Sequence, residues 1–256
     1  MRKRFVLVVA ALSFVHLAPA AAQSTPGCQR PATLTAPFVF VTVNGQCLDL
    51  SSLVAPVVGG KGWNLFTTVS LAGARIDLRA TFNPDPSVSF SSTTVNTTSA
   101  PMTYAVLFGT PIVPDFYTQA VSSGSLSITS ATGTTTVSNS AFPAFVAGYG
   151  TNGAAATELG VNIGTNPCTV TGTVATQTCN LGSASSTFAP AFYDNLEAFL
   201  TYTQDNLGST ATLSGEVSIS AVTQVTPTPE PSEIVLLGTG LSVLGGWASR
   251  RRRVAR

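Results

Sequence analysis

Apolar and polar residues alternate with a period of two along much of this chain, and this alternation restricts the fold more than any other feature. Residues 74–82 show it most clearly. The even-numbered positions carry the apolar side chains Ile76, Leu78, Ala80 and Phe82, and the odd-numbered positions carry the charged side chains Arg75, Asp77 and Arg79. Successive side chains of a β-strand point to opposite faces, so this segment is predicted to be a strand with one buried face. Similar segments recur between turns rich in Gly, Pro and Asn, which predicts an antiparallel all-β fold.

Turn signals and apolar runs place the individual strands. Residues 38–43 lead into Asn44-Gly45 and then into residues 46–50, the pattern of a two-residue β-hairpin. A turn over residues 83–86 precedes a strand that resumes at residue 87. Further strands are predicted at residues 103–108, 124–129, 134–138, 142–146, 169–175 and 212–222.

The segment at residues 196–203 fits two interpretations. As a strand it would form a closing hairpin with residues 212–222, and as a helix the apolar residues between 192 and 200 would share one face. We favour the strand. The sequence therefore predicts a body at residues 23–223 that is an antiparallel β-sandwich of jelly-roll or immunoglobulin-like type.

The first 22 residues have the three parts of a secretory signal peptide. Arg2, Lys3 and Arg4 form a basic start, an apolar stretch follows, and Ala20-Ala21-Ala22 offers small residues for cleavage. The apolar stretch is about eleven residues long, short of the roughly 20 that a permanent membrane helix needs. We expect residues 1–22 to be removed on export.

The C-terminal region has three consecutive parts of different composition. A proline-rich linker occupies residues 224–233, an uncharged apolar segment predicts a transmembrane helix at residues 234–249, and an arginine-rich tail fills residues 250–256. The helix's fifteen apolar residues, 234–248, would make about 22 Å of helix, shorter than a bilayer core of about 30 Å, which suits a temporary handle. By the positive-inside rule the tail stays cytoplasmic and the body lies outside the inner membrane. The orienting residues are Arg250, Arg251, Arg252 and Arg253.

Residues 229–256 resemble the PEP-CTERM sorting signal, which is also catalogued as a C-terminal motif of ice-binding proteins. The resemblance rests on Pro229-Glu230-Pro231, on Leu-Leu-Gly-Thr-Gly in the apolar segment and on the terminal arginines, in that order. It implies that exosortase, an integral-membrane enzyme, recognises Pro229, Glu230 and Pro231 and processes the chain near them. It also implies a transient stay in the inner membrane and a connection with exopolysaccharide. Glu233 departs from the family pattern, in which small or apolar residues are usual.

The charges of the body exclude several classes of function. Residues 23–229 contain four basic and nine acidic residues, a net charge of −5. A nucleic-acid-binding surface must be basic, so we expect no nucleic-acid partner. The single histidine, His16, lies in the signal peptide, which removes histidine-dependent nucleophiles, general bases and common zinc sites from the body.

Four cysteines lie in the exported part of the chain. An even number in an oxidising compartment predicts two disulfides, and of three connectivities we favour the local one. That pairing joins Cys28 to Cys47 and Cys168 to Cys179. A metal site is the alternative, but neither a C-x-x-C pair nor a histidine supports one.

The acidic residues offer two further hypotheses. Asp194 and Glu197, with Asp205 nearby, are the best candidates for the paired carboxylates of a glycoside hydrolase, against the simpler interpretation of solvated surface acids. Loop oxygens suggest a structural calcium ion, although no EF-hand or Asp-rich repeat is present. The calcium candidates are Asn83, Asp85, Asp194, Asn195, Asp205 and Asn206.

Threonine clusters and one tryptophan are candidate binding features. Thr169, Thr171 and Thr173 would share one strand face, residues 134–136 form a second cluster, and Trp63 would be either a sugar-stacking platform or a core residue. We expect a non-enzymatic cell-surface or extracellular-matrix protein with a structural or adhesive role. The alternatives are a carbohydrate- or ice-binding module and an acid-only glycoside hydrolase.

Overall fold

The computed structural model describes residues 28–31, 34–140, 142, 144–153 and 155–221. Within these residues the fold is antiparallel and all-β, and the only helical segment is a short 3-10 turn at Ser51–Leu53. The strands are β1 (Phe38–Val43), β2 (Gln46–Asp49), β3 (Ala55–Pro56), β4 (Trp63–Leu71), β5 (Ala74–Asn83), β6 (Ser87–Asn96), β7 (Met102–Thr129), β8 (Thr135–Ser138), β9 (Val146–Asn152), β10 (Ala155–Glu158), β11 (Cys168–Val170), β12 (Thr176–Gln204) and β13 (Thr210–Ser220).

Two long strands, β7 and β12, pair with each other along their length and belong to two layers at once. The first part of β7 has β1 as its other neighbour, and the last part has β13. The smaller sheet therefore has the order β2-β1-β7-β12-β9-β10, and the larger sheet has the order β12-β7-β13-β6-β5-β4-β3. The predicted β-sandwich is confirmed at this level of architecture.

The passage from one layer to the other is marked by irregular pairing and by prolines. The register between β7 and β12 shifts between Thr187 and Ala191 and again between Tyr193 and Asn195. Pro111, Pro114 and Pro190 lie in this stretch. Because proline lacks an amide donor, it suits a strand only where the hydrogen-bond ladder is interrupted.

The core lies between the two layers. The ring of Phe90 on β6 stacks on that of Phe108 on β7, with 5.8 Å between the ring centres. A polar bridge crosses the same space, because the Thr94 hydroxyl lies 2.9 Å from both the Tyr202 hydroxyl and Gln204 Oε1. Thr94, Tyr202 and Gln204 thereby satisfy one another, because a buried polar group without a partner costs about 1–3 kcal/mol.

Both disulfides have the predicted local pairing. Cys28–Cys47 fastens the segment before β1 to β2, with 5.7 Å between the Cα atoms. Cys168–Cys179 fastens β11 to β12, with 6.1 Å between the Cα atoms. Disulfides of this kind are typical of proteins that fold in an oxidising compartment.

Several strand predictions are confirmed, and others need correction. The first hairpin turns at Asn44 and Gly45, whose φ angles are 46° and 82°, and residues 74–82 form a strand as expected. Residues 103–108 and 124–129 belong to one continuous strand, β7. The strand predicted at residues 142–146 begins only at Val146, and the one predicted at residues 169–175 ends at Val170.

The predicted closing hairpin is wrong, although its two strands exist. β12 and β13 follow each other in the chain, yet β7 lies between them in the sheet. The turn at residues 205–209 therefore crosses from one layer to the other. Both faces of residues 196–202 are buried, because Leu196 and Leu200 pack into the main core and Phe199 packs into a second cluster on the opposite face. Burial on both faces explains why this segment also carries a helix-like apolar pattern.

The predicted terminal segments lie outside the described residues. This applies to the signal peptide at residues 1–22, to the linker with Pro229, Glu230 and Pro231, to the helix at residues 234–249 and to Arg250, Arg251, Arg252 and Arg253. Among the residues that the structure does describe, none belongs to a helix long and apolar enough to cross a membrane.

Candidate functional site on the outer faces of the sheets

The outer face of the larger sheet carries an array of hydroxyl groups, which we name the hydroxyl face. It is formed by the outward residues of β6, β13, β7 and the first part of β12. Pairing aligns them in rows of four, and all but four positions carry Ser or Thr, the exceptions being Val95, Val121, Asn180 and Glu216. The hydroxyl residues are Ser87, Ser89, Ser91, Thr93, Ser123, Ser125, Ser127, Thr129, Thr176, Thr178, Ser183, Ser185, Thr210, Thr212, Ser214 and Ser218.

Several of these hydroxyls contact each other across the strands. The Oγ1 atoms of Thr93 and Thr212 are 2.9 Å apart, and the Oγ atoms of Ser91 and Ser214 are 3.2 Å apart. All of the array is at least partly accessible to solvent. Since a hydroxyl both donates and accepts, each pair keeps unused capacity for an external partner.

Charge is concentrated at one side of the hydroxyl face. Arg75, Asp77 and Arg79 point outward from β5, and the Arg79 guanidinium lies 4.7 Å from the centre of the Phe66 ring. Phe66 is 72% exposed, so it is an aromatic platform available to solvent on the same side of the sheet.

An open groove of about 610 Å³ continues the hydroxyl face at one end. Ser87, Ser218 and Glu216 belong to both surfaces, and Asp85 and Asp115 also line the groove. Its three carboxylates give the groove a strongly negative character. A ligand there would meet acceptors and hydroxyls side by side.

Tyr117 forms part of the groove wall. Its hydroxyl donates to the Val113 carbonyl oxygen at 2.5 Å. Burial raises the pKa of Tyr117 to about 12, and the charges of Asp115 and Asp85 add to the effect. The phenol therefore stays protonated and is a structural donor.

The outer face of the smaller sheet is different, and we name it the covered face. It is aromatic and apolar where the hydroxyl face is polar, and its main residues are Phe38, Phe40, Ala105, Leu107, Ala147, Tyr149 and Phe199. Cys28, Leu34 and Phe142 pack against this cluster. The segment before β1, held by the Cys28–Cys47 disulfide, thus lies over the sheet.

One charged residue is buried on the covered face. Glu197 has no solvent exposure, and its Oε2 atom accepts a hydrogen bond from Arg30 of the covering segment. Burial raises the pKa of Glu197 to about 7, and the Arg30 charge opposes that rise only in part. The other oxygen, Oε1, has no hydrogen-bond partner.

The residues predicted as a hydrolase pair are not arranged as one. Glu197 is paired with Arg30, Asp205 Oδ1 accepts from the Thr136 amide at 2.6 Å, and Asp194 accepts from the Asn195 side chain. None of the three lines the acidic groove. They act as hydrogen-bond acceptors in three separate contacts.

The calcium candidates are also dispersed. Asn83 Oδ1 accepts from the Asp85 amide, and the Asn206 side chain donates to the Thr134 carbonyl oxygen. In the described part of the chain, no three His, Cys, Asp or Glu side chains are grouped so that they would hold a metal ion.

The structure does not support the predicted binding roles of the threonine cluster at residues 169–173 and of Trp63. Thr169 faces Thr136 with 3.1 Å between their hydroxyls, but Thr171 and Thr173 lie beyond the end of β11. Trp63 is half-buried and packs against the core, so it is not a free stacking platform. The real hydroxyl array lies on other strands, where Ser and Thr fill the outward positions of residues 87–93 and all but one of those of residues 210–220.

Comparisons with known proteins identify no family. No family model matches the chain, and no curated protein matches it. Among solved structures, it is similar to a family 61 carbohydrate-binding module in complex with β-1,4-galactotriose, at 8% identity and a TM-score of 0.24, over 52% of this chain and 70% of the other. It is also similar to the family 11 module of a Clostridium thermocellum cellulase, at 11% identity and a TM-score of 0.23, over 66% and 95% of the two chains. Likenesses this weak carry no argument about function.

Proposed function

We propose that this chain is an exported, non-catalytic surface protein that adheres to neutral polysaccharide through its hydroxyl face. The observation that carries the proposal is the alignment of Ser and Thr in register across four adjacent strands. A soluble surface needs polar groups, but it does not need them at matched positions in successive rows.

The chemistry of the array suits a repeating, uncharged ligand. Adjacent strands are about 4.8 Å apart and outward residues repeat about every 6.7 Å along a strand, so the donors and acceptors form a lattice. Each hydroxyl contact contributes only about 1 kcal/mol, and strength must come from many contacts along one chain. A polysaccharide, whose own hydroxyls both donate and accept, meets these conditions. Phe66 and the groove at Glu216 extend the same surface at its margins.

Retention on insoluble polymers tests the proposal. The mature chain is incubated with cellulose, with β-1,3-glucan and with β-1,4-galactan, and the bound fraction is measured against increasing salt. We expect retention on at least one polymer and little loss at high salt, because the hydroxyl face is nearly uncharged. No retention on any polymer would contradict the proposal.

A matched pair of variants locates the binding surface. Thr93→Val with Thr212→Val removes a hydrogen-bonded hydroxyl pair from the hydroxyl face, and we expect retention to fall severalfold. Thr103→Val with Thr203→Val removes an equivalent exposed pair, 3.0 Å apart, from the smaller sheet and should leave retention unchanged. Thermal hysteresis in freezing assays, with no polymer retention, would instead support the ice-binding alternative.

We also propose that exosortase sorts this chain through residues 229–256, after transient residence in the inner membrane. The order of Pro229-Glu230-Pro231, an apolar segment and arginines supports this route. The test is cell fractionation with intact-mass measurement in cells with and without exosortase. We expect a shorter, released or surface-attached chain only when exosortase is present, and an unchanged mass and location would refute the route.

A further inference from the structure

The larger sheet ends in a strand that lacks a neighbour along most of its length. β3 pairs with β4 only at Trp63 and Asn64, whereas β5 pairs with all of Trp63–Leu71. Residues 65–71, which we name the open edge, therefore have a strand on one side only within the part of the chain that the structure describes. Such an edge presents backbone donors and acceptors to any strand that approaches it.

The backbone groups that point away from β5 follow from the turns at the two ends of β4. Directly opposed residues of an antiparallel ladder alternate between pairs that exchange hydrogen bonds and pairs that do not. The Val57 amide donates to the Gly62 carbonyl oxygen at 3.0 Å, so even-numbered residues of β4 direct their backbone groups away from β5. The two-residue turn that joins β4 to β5 gives the same assignment, because the residues flanking such a turn form a bonded pair. On the open edge these residues are Phe66, Thr68 and Ser70, and no described residue bonds to their backbone groups.

The other edges of the two sheets are protected, but the open edge is not. β2, β10 and β11 have at most four residues, β3 contains Pro56, and the first part of β12 has a register shift between Asn180 and Gly182. The open edge has seven residues without a charge or a proline, and its register with β5 continues without a bulge. Phe66 on this edge is 72% exposed. Because soluble monomers normally protect a long edge, the open edge indicates a partner strand.

A second copy of this chain fits the open edge by a two-fold rotation. Antiparallel pairing centred on Thr68 places Phe66 opposite Ser70 of the second copy and Thr68 opposite its own equivalent. All three residues then exchange both of their free backbone hydrogen bonds. A shift of the register in either direction would leave at least one of the three without a partner, so the edge is self-complementary in one register.

The side chains of the open edge suit the same register. Val69 and Leu71 pack against the core but are only half-buried. Pairing places Leu71 opposite Leu65 of the second copy and Val69 opposite Thr67, which removes apolar surface from water in both copies. The outward charges of β5 remain three strand spacings, about 14 Å, from those of the second copy, beyond the Debye length at physiological salt. Like charges therefore do not oppose the pairing.

We propose that two copies of this chain pair through their open edges and join their larger sheets into one continuous sheet. The two-fold axis is perpendicular to the sheet, so the two hydroxyl faces lie on the same side. So short a ladder buries less than the roughly 1,200 Å² of a stable complex, and association in dilute solution is weak. It becomes effective where copies are held close together on a surface. Pairing uses β4 and not the hydroxyl face, so it does not depend on polysaccharide binding.

Disulfide capture of the paired state tests the proposal. The native cysteines of the described chain are all in disulfides, so one introduced cysteine is the only free thiol there. Thr68→Cys places the two Cα atoms about 5.5 Å apart across the two-fold axis, within reach of a disulfide. Ser70→Cys, equally exposed and two residues away, is the control, because its two copies would be about 14 Å apart. After mild oxidation of the mature chain, we expect severalfold more covalent dimer from Thr68→Cys, measured by intact mass.

Opposite charges at the central position provide a second measurement. Thr68→Lys or Thr68→Glu alone places like charges directly opposite each other, whereas an equal mixture of the two variants places opposite charges there. Small-angle X-ray scattering up to about 1 mM protein should show a mass that rises with concentration for the parent chain, severalfold less association for either variant, and recovery on mixing. Equal capture of the two cysteine variants, a parent chain that stays monomeric, or no recovery on mixing would overturn the inference. None of these outcomes would touch the polysaccharide proposal.

Discussion

The two sheets of this protein share long strands but present opposite outer faces. The larger sheet exposes rows of Ser and Thr, whereas the smaller sheet carries Phe38, Phe40 and Phe199 under a disulfide-anchored segment. The difference arises within single strands, because β7 and β12 contribute to both faces. The outward residues of one strand are thus apolar in the part that belongs to the smaller sheet and polar in the part that belongs to the larger sheet.

The comparison indicates that the covered face serves stability and the hydroxyl face serves binding. An apolar outer face must be covered to remove its surface from water, and that burial contributes stability. A hydroxyl face loses little by staying exposed and remains available to a partner. We therefore expect substitutions on the covered face to change stability, and substitutions on the hydroxyl face to change binding.

The largest contrast is expected between two phenylalanines. Phe199 is 6% exposed on the covered face, and Phe66 is 72% exposed on the larger sheet. Phe199→Ala should lower the free energy of unfolding by about 3–5 kcal/mol, as expected for a buried aromatic. Phe66→Ala should change it by less than about 1 kcal/mol. Urea denaturation of both variants measures the contrast, and similar losses would break the distinction between the faces.

The second-largest loss of stability is expected when the disulfide that anchors the covering segment is removed. Replacing Cys28 and Cys47 together by serine should lower the free energy of unfolding by about 2–4 kcal/mol, because the unfolded chain regains the entropy of the open loop. Hydrogen exchange should then increase at β1 and β2 and remain unchanged at β6 and β13. Uniform acceleration across both sheets would show that the segment does not serve the smaller sheet specifically.

The free energy of unfolding should also depend on pH, through one buried group of the covered face. The pKa of Glu197 is raised from 4.5 to about 7, mainly by burial, with Arg30, Tyr149 and Glu158 as the facing titratable or charged groups. The folded state holds this proton more tightly than the unfolded state, so the stabilising contribution is complete below about pH 4.5 and is lost as the pH rises through about 7. Denaturation at intervals from pH 5 to pH 8 should show this decline, and Glu197→Gln should remove it. Glu216→Gln on the hydroxyl face is the matched control and should preserve the decline.

The smallest change in stability is expected on the hydroxyl face. Thr93→Val with Thr212→Val replaces a partly exposed hydroxyl pair by groups of similar shape, which should change the free energy of unfolding by no more than about 0.5 kcal/mol. The melting temperature measures this directly. A large loss would mean that the hydroxyl rows hold the sheet together and are not kept free for a ligand.

Local features of the fold were readable from the sequence, and distant ones were not. The Asn44-Gly45 hairpin and the strand at residues 74–82 follow from turn chemistry and period-two alternation. The even number of cysteines predicts two disulfides, and the local pairing is the favoured one of three possible connectivities. β7 and β12 were recognised only in fragments, because prolines and a change of face interrupt their patterns. The pairing of β13 with β7 was also missed. β12 and β13 follow each other in the chain, and no local sequence signal indicates that β7 lies between them in the sheet.

The candidate sites show the same limit. The strand from residue 87 was predicted without singling out its Ser and Thr residues, and their alignment with three other strands depends on the sheet order. Arg30 and Glu197 are 167 residues apart in the chain, and no sequence motif predicts that they pair. The spacing of Asp194 and Glu197 suggested catalysis, whereas the structure engages them in two separate contacts, Asp194 with Asn195 and Glu197 with Arg30.

The central claim is that neutral polysaccharide binds the hydroxyl face and not the smaller sheet. Amide chemical shifts of the ¹⁵N-labelled mature chain, titrated with hexasaccharides from cellulose, β-1,3-glucan and β-1,4-galactan, test it most directly. We predict shifts for outward residues of β6, β13, β7 and β12, centred on Thr93, Thr212 and Ser127, with the amides of β1 and β9 unmoved. Shifts confined to β1, β9 and residues 196–202, or no shifts with any of the three, would contradict it.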